Sequence, residues 1–247
     1  MNLPLSGKAA IVIGGTRGIG GAISRGLAAK GAAVAMFYQH RAAEAAKLAA
    51  EIDVQGGRAI ALQCDVGDVL AQDAAMDEVL ARLGRLDILV CNAGLTITGP
   101  LADYTDDAFD RSFAVNARAP FYAARKAARV MADEGRIIFI GSSISEALPG
   151  PGATLYAASK AALAGMVRGL ARDFGERRIT ANLVNPGPIA TERNPTGSDR
   201  GNVSAGPLVL KRYGTPEEVA ALVVHLALPE GAYITGQVYN VDGGWTV

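Results

Sequence analysis

The stretch that decides the fold is Ile11-Val12-Ile13-Gly14-Gly15-Thr16-Arg17-Gly18-Ile19-Gly20. The apolar run 9–13 predicts a strand, and the Ala-rich amphipathic run 19–30 predicts a helix. Three glycines punctuate the turn between them. Gly14 permits a tight turn, Gly18 lets a phosphate approach the backbone, and Gly20 lets the helix pack closely on the strand. The first turn of such a helix offers unpaired N–H groups and the positive end of its dipole, which suits a pyrophosphate. Glycine spacing alone marks a tight turn. Its position at the head of a strand–helix–strand unit is what argues for a dinucleotide.

The same alternation runs outward along the chain. Strands are predicted at 33–38, 59–63, 86–91, 136–140, 180–184 and 237–241. Helices are predicted at 42–54, 68–83, 106–131, 156–174 and 216–226. Strands apolar on both faces and separated by helices argue for a parallel sheet covered on both sides. The fold expected is therefore α/β, a doubly wound seven-stranded parallel sheet in the order 3-2-1-4-5-6-7 with helices on both faces. Residues 1–247 read as a single domain. The stretch without periodicity, 192–206, reads as part of a short substrate lid around 192–212.

With 247 residues and 24 Lys+Arg against 24 Asp+Glu, the chain has no basic surplus to recruit nucleic acid or an anionic membrane. Half of its residues are hydrophobic and 19% are charged, which excludes disorder. Only 6% are aromatic while glycines number 30, so tight helix–sheet packing through small side chains is expected. Cys64, Cys91, His40 and His225 lie at unrelated spacings, so neither a metal site nor a structural disulfide is expected. No signal peptide is evident, and no apolar run reaches the roughly 18 residues of a membrane helix. A cytoplasmic protein is the expectation.

The second strand ends Phe37-Tyr38-Gln39-His40-Arg41, with no acid before Glu44 to accept from a ribose 2′-hydroxyl. Arg17 and Arg41 could instead pair with a 2′-phosphate, which favours NADP over NAD; both could equally be ordinary surface arginines. Tyr156 and Lys160 lie one helical turn apart and share a face. A nearby ammonium stabilises tyrosinate and would lower the tyrosine pKa from about 10, opening proton exchange with a substrate oxygen.

Taken together, Gly14-Gly15-Thr16-Arg17-Gly18-Ile19-Gly20, Cys64-Asp65-Val66, Cys91-Asn92-Ala93-Gly94, Val115-Asn116, Ile140-Gly141-Ser142, Tyr156-Ala157-Ala158-Ser159-Lys160, Asn185-Pro186-Gly187-Pro188-Ile189 and Val241-Asp242-Gly243-Gly244 resemble the short-chain dehydrogenase/reductase family over essentially the whole chain. That resemblance implies Tyr156 as the acid/base and Lys160 as a ribose ligand that lowers the tyrosine pKa. It implies a serine that bonds the substrate carbonyl, and Asn116 as the holder of a relay water. Asp65 and Val66 would meet the adenine. Asn92, Ala93 and Gly94 would line the cleft, and Pro186, Gly187, Ile189 and Thr191 would sit beside the nicotinamide. With Gly14, Thr16, Arg17, Gly18, Ile19, Gly20, Tyr38, His40, Arg41, Tyr156 and Lys160, these complete the expected cofactor contacts. Alignment through the strand before it points to Ser142 as the catalytic serine. Counting back from the tyrosine by the family spacing points to Ser143, which remains the alternative. Ile13 and Cys91 depart from the family's usual Thr and Asn.

The likeness is nearest to 3-oxoacyl-(acyl-carrier-protein) reductases, so the expected reaction is hydride transfer between NADP(H) and a ketone or secondary alcohol. An acyl-carrier protein is a further candidate partner, through Arg125, Lys126, Arg129, Arg168 and Arg172, which read equally as a solvated face. Alternatives are an NADP-binding regulator with little turnover and an NAD-dependent alcohol or sugar dehydrogenase. The resemblance further implies a homotetramer, built on the two long Ala-rich helices and on a C-terminus in which Trp245 reads as exposed.

Overall fold

The computed structural model describes residues 3–148, 150–195 and 208–247. Seven strands, β1 (Ala9–Ile13), β2 (Ala33–Tyr38), β3 (Arg58–Gln63), β4 (Leu86–Cys91), β5 (Met131–Ile140), β6 (Thr180–Pro186) and β7 (Val238–Val241), form one sheet. Their order is β3-β2-β1-β4-β5-β6-β7, and every pairing is parallel. The helices are α1 (Gly18–Ala29), α2 (Ala42–Val54), α3 (Val69–Leu83), α4 (Asp106–Phe113), α5 (Ala119–Val130), α6 (Thr154–Asp173) and α7 (Pro216–Ala227). Expected fold class and strand order both hold. No helix among the described residues is long and apolar enough to cross a membrane.

Because successive side chains of a strand face opposite ways, each strand feeds two cores. Ile11 and Ile13 of β1, with Ile137 and Phe139 of β5, pack against Met76 and Val79 of α3, the alanines of α5 and Leu163 and Val167 of α6. Ala10, Val12, Ile138 and Ile140 face the other way, onto Ile23 and Leu27 of α1, Leu48 and Ile52 of α2, and Val219 and Val223 of α7. Each fully buried Ile or Leu contributes about 1.5–3 kcal/mol. Small residues set the spacing: a Cβ on Gly26 would stand 2.8 Å from Val224 Cγ2, so α1 and α7 meet through that glycine.

Polar groups pin the N-terminal ends of the central strands. Asp87 accepts from Arg85 at 2.7 and 2.6 Å, from Lys8 at 3.1 Å and from the Ala9 N–H at 2.9 Å, tying the starts of β1 and β4 together. Burial pushes its carboxyl up, but these donors prevail and leave it below its ordinary value. On α7, Thr215 and Glu218 make a capping box, with Arg212 on the Glu218 carboxylate.

Beyond shifts of one or two residues at element ends, three features differ from the sequence reading. The helix expected over 106–131 is α4 and α5 joined by a π-helical turn, Ala114–Arg118, with Pro120 in the first turn of α5 where its missing N–H costs little. Strand β5 begins at Met131 rather than Arg136: Met131 pairs with Leu86, and the register shifts before Arg136 meets Ile88. Glu134, at φ 62°, lies in that irregular segment. Trp245 is half-buried, not exposed, and donates from Nε1 to the Ala147 carbonyl at 3.0 Å. Most of the expected lid, 196–207, lies outside the described residues.

Candidate active site

Strands β1, β4, β5 and β6 all end at one cleft of about 1740 Å³, beside the point where the strand order reverses between β1 and β4. Ligands of open parallel sheets bind in that crevice. Every residue expected to touch cofactor lines it except Gly20, which lies behind the turn. There a Cβ on Gly20 would collide with the Gly14 carbonyl, which accepts from Asn92 Nδ2 at 2.8 Å. Gly14 has φ +74°, and its N–H donates to the Phe37 carbonyl at 2.9 Å. No side chain caps the start of α1. Its N–H groups are therefore available to an anion. Ile13, where the family has Thr, uses its carbonyl to accept from the N–H groups of Asn92 and Ala93 at 3.0 and 2.8 Å. The tight turn survives without that hydroxyl.

Arg17 and Arg41 converge, but on carboxylates. Arg41 donates to Glu44 at 2.9 Å, and Arg17 Nη1 to Glu192 at 3.1 Å. Longer ion pairs link Arg17 to Glu44 at 3.5 Å and Arg41 to Glu192 at 3.4 Å. Two cations with five-donor forks thus sit together beside the second strand's end, a geometry suited to a phosphate. Glu192, 175 residues from Arg17 along the chain, was not foreseen as a member of this cluster. Asp65 accepts from the Gly67 N–H at 2.9 Å and shapes the turn after β3.

The catalytic candidates come from three places: the π-helical turn, the loop after β5 and α6. Lys160, on α6, is buried and donates from Nζ to the Ile140 carbonyl at 2.9 Å; burial lowers its pKa from 10.5 to about 8. Tyr156 lies one turn earlier and lines the cleft beside Ser142 and Thr96. Its pKa is raised, because burial outweighs the hydrogen-bonding influence of Ser142, then of Thr96, and the charge of Arg193. The lowering expected from Lys160 is not what the structure gives: that ammonium is turned onto the end of β5. A tyrosine held protonated is a proton donor.

Ser142 lines the cleft half-buried, whereas Ser143 is buried at 3% exposure and does not line it. Asn116, in the π-helical turn, is fully buried. It accepts from the Leu95 N–H at 2.8 Å and donates to the Leu95 carbonyl at 2.8 Å and to Ser159 Oγ at 2.9 Å. In that geometry it clamps the loop after β4 to α6. A π turn inside a helical run is frequently found at a working site.

A second layer of side chains holds the serine loop. Asn185, at the end of β6, accepts from the Ser142 N–H at 3.2 Å and donates to Glu146 at 2.9 Å. Glu146 also accepts from Asn240 of β7 at 2.8 Å. Gly141 leaves room for this, since any Cβ there would collide with the Asn185 amide. Sequence reading missed Asn185 and Glu146 as working residues, although Asn185 heads the Pro186-Gly187 turn. Among the nearby apolar residues, Leu95 and Ile97 line the cleft, while Leu155 is core and Leu148 is exposed. Cys64 and Cys91 are buried free thiols; burial, then Asp65 and Asp68, push the Cys64 thiol to about 11.

Comparison with known proteins supports the same picture. The family model described as Enoyl-(Acyl carrier protein) reductase matches residues 13–246. The chain is 43% identical over 240 residues to the cyclic-di-GMP-binding biofilm dispersal mediator protein of Escherichia coli, covering 97% of this chain and 98% of that one. A short-chain dehydrogenase/reductase from Serratia marcescens is 44% identical, with a TM-score of 0.97 and coverage of 99% of this chain and 100% of that one. A short chain dehydrogenase from Burkholderia cenocepacia, solved in complex with NADP, has the same identity, TM-score and coverage.

Proposed function

Because the chain belongs to the short-chain dehydrogenase/reductase family, we propose that it is an NADP(H)-dependent oxidoreductase that interconverts a ketone and a secondary alcohol. The observation that carries this reading is the meeting of Ser142, Tyr156 and Lys160 in the cleft whose far end holds Arg17 and Arg41. The cleft fits a dinucleotide: an uncapped helix start lies beside it for the pyrophosphate, and the arginine pair suits a 2′-phosphate. The NADP-bound Burkholderia relative supports the same cofactor.

Bound there, the nicotinamide would supply the hydride that a carbonyl carbon accepts. Tyr156 Oη holds the proton that the carbonyl oxygen takes, and its raised pKa keeps that proton in place at neutral pH. Ser142 Oγ orients the carbonyl by donating to it. Lys160 brings a positive charge into the buried part of the site, where charge acts most strongly. Asn116 holds Leu95, and so the rim above the reacting atoms, in register with α6.

A fluorescence titration of NADPH and NADH against wild type and Arg41→Ala tests the cofactor assignment. The reading predicts tighter binding of NADPH than of NADH, and a several-fold weakening for NADPH in the variant. Equal affinity for both cofactors contradicts it.

An acyl-carrier protein is a weaker proposal. Arg125 lies 4.0 Å from Asp73, and Lys126 lies 2.6 Å from Asp77, so α3 neutralises part of the basic face. Pairing through α5 and α6 to give a homotetramer remains part of the proposal, with Phe109 and Phe121 exposed beside those helices. A nucleotide-binding regulator is the second reading, favoured by the name of the Escherichia coli relative. The full set of Asn116, Ser142, Tyr156 and Lys160 favours turnover.

A further inference from the structure

Arg193 is a charge at the reacting end of the cleft that the cofactor reading does not use. After β6 the chain makes a tight turn. The Thr191 N–H donates to the Asn194 carbonyl at 3.2 Å, and the Asn194 N–H returns to Thr191 at 3.0 Å. Asn194 Nδ2 fastens this turn to the Ile189 carbonyl at 3.1 Å. Glu192 and Arg193 stand at its tip and point to different parts of the cleft. Glu192 reaches Arg17 and Arg41. Arg193 reaches the reacting end, where its Nη1 donates to the Gly94 carbonyl at 3.3 Å.

Gly94 marks the centre of that end. A Cβ on it would stand 3.2 Å from Lys160 Nζ and 3.5 Å from Asn116 Oδ1. Arg193 therefore hangs over the groups that would handle the proton. Among the described residues no carboxylate forms an ion pair with it, whereas Arg111, which also lines the cleft, is paired with Asp107 at 3.4 Å. Around it the wall offers the hydroxyls of Thr96 and Ser142 and the apolar Leu95 and Ile97. Such a wall accepts a small polar substrate and gives a negative group one obvious partner. A guanidinium holds a carboxylate through two parallel hydrogen bonds, fixing direction as well as position.

We propose that Arg193 makes the enzyme selective for oxo acids, ketones that carry a carboxylate close to the reacting carbonyl. This rests on the NADP(H)-dependent carbonyl reduction set out above. In the step itself the carbonyl carbon gains a hydride from NADPH and the oxygen gains the Tyr156 proton, giving a hydroxy acid and NADP⁺. The carboxylate stays ionised throughout, paired with Arg193. That Arg193 already acts electrostatically on the Tyr156 hydroxyl agrees with this placement.

The test compares NADPH oxidation with acetoacetate and 4-oxopentanoate against their methyl esters, in wild type, Arg193→Ala and Arg193→Lys. The ratio of kcat/KM for acid over ester is the readout, so a general loss of fold or activity cancels. Wild type is expected to prefer at least one acid. Arg193→Ala should cut the ratio about ten- to a hundredfold, chiefly through KM of the acid, as for loss of a charge-assisted contact. Arg193→Lys should restore part of it. If the ratio is the same in wild type and Arg193→Ala, the proposal is wrong. It is also wrong if Arg193→Ala weakens NADPH binding in a fluorescence titration while the ratio stays high, for then Arg193 serves the cofactor. Esters reduced without any preference for acids overturn this inference alone. Reduction of no ketone of either charge, with NADPH bound, overturns the carbonyl-reductase reading and this inference together.

Discussion

Lys160 Nζ donates to the carbonyl oxygen of Ile140 at 2.9 Å, joining the middle of the candidate active site to the last residue of β5. The next two residues are Gly141 and Ser142, so one hydrogen bond ties the buried ammonium to the strand end that presents the serine. The ammonium has no carboxylate partner among the described residues, and burial lowers its pKa to about 8. A charge held in this way serves the site at the expense of the fold.

That cost is measurable. Between the folded value of about 8 and the ordinary 10.5, the unfolded chain binds a proton that the folded chain does not. Wild-type stability should therefore rise with pH across that window from this residue. The difference corresponds to about 3 kcal/mol at neutral pH. Lys160→Met should be more stable than wild type at pH 7, by about 1–3 kcal/mol after loss of the Ile140 bond. The gap should narrow toward pH 10. Urea unfolding at pH 7 and pH 9.5 checks both statements.

Glu192 places a carboxylate where a 2′-phosphate would meet Arg17 and Arg41. Exposed ion pairs contribute little to stability, so removing this one should leave the fold intact. Glu192→Gln removes one of the two carboxylates that pair with Arg17 and Arg41, leaving Glu44, and with it a charge that would repel the phosphate. NADPH affinity should rise about two- to fivefold, with NADH affinity nearly constant. Parallel fluorescence titrations read the two cofactors; weaker NADPH binding would mean that Glu192 clasps the cofactor instead of competing with it.

Asn185 holds the backbone of Ser142 without lining the cleft. Asn185→Ala should lower kcat about tenfold or more by loosening the serine, as small misplacements of reacting groups do. NADPH affinity should stay within a factor of about two. Glu146→Gln should give a milder version of the same loss, because one of its two acceptor oxygens is replaced by a donor facing an amide donor. Steady-state kinetics beside the cofactor titration separates this from general unfolding.

Gly20→Ala should be severe. The added methyl collides with the Gly14 carbonyl and approaches Asn92 Nδ2 at 2.6 Å, and both belong to backbone-anchored structure that cannot step aside. A loss of about 1–3 kcal/mol in stability is expected from overpacking alone, together with loss of NADPH binding. Gly56→Ala is a control at an open position, where nothing lies within 4 Å but φ is +82°, so it carries backbone strain without collision. Thermal unfolding of the two variants ranks the effects.

Much of the fold was legible because local periodicity reports burial directly. The apolar run 9–13 is buried along its whole length, and the glycine turn after it needed no knowledge of distant residues. Strand order was a different matter, since it came from the general topology of doubly wound sheets and not from any residue spacing. The 106–131 stretch read as one helix because its apolar pattern is continuous; a π turn changes hydrogen bonding without changing composition. Met131 joined β5 through its partner Leu86, a tertiary effect that its polar followers Asp133 and Glu134 concealed. In the site, Tyr156 and Lys160 share one helix turn and were visible. Glu192, Arg193, Asn185 and Glu146 act across 39 to 175 residues of chain, where spacing carries no signal. The Tyr156 pKa also escaped, because burial, which sequence spacing does not measure, outweighs its polar neighbours.

Carbonyl reduction with NADPH, with Tyr156 as proton donor, is what every other proposal about the reaction depends on. The most direct measurement is NADPH oxidation in the presence of 4-oxopentanoate and its methyl ester by wild type and Tyr156→Phe, with NADPH binding titrated for both. Wild type should oxidise NADPH steadily with at least one of them, and the variant at a rate at least about a hundredfold lower while binding NADPH within about twofold of wild type. Turnover by Tyr156→Phe at the wild-type rate would mean that Tyr156 does not donate the proton. A wild type that binds NADPH tightly and oxidises it with neither ketone would contradict carbonyl reduction itself.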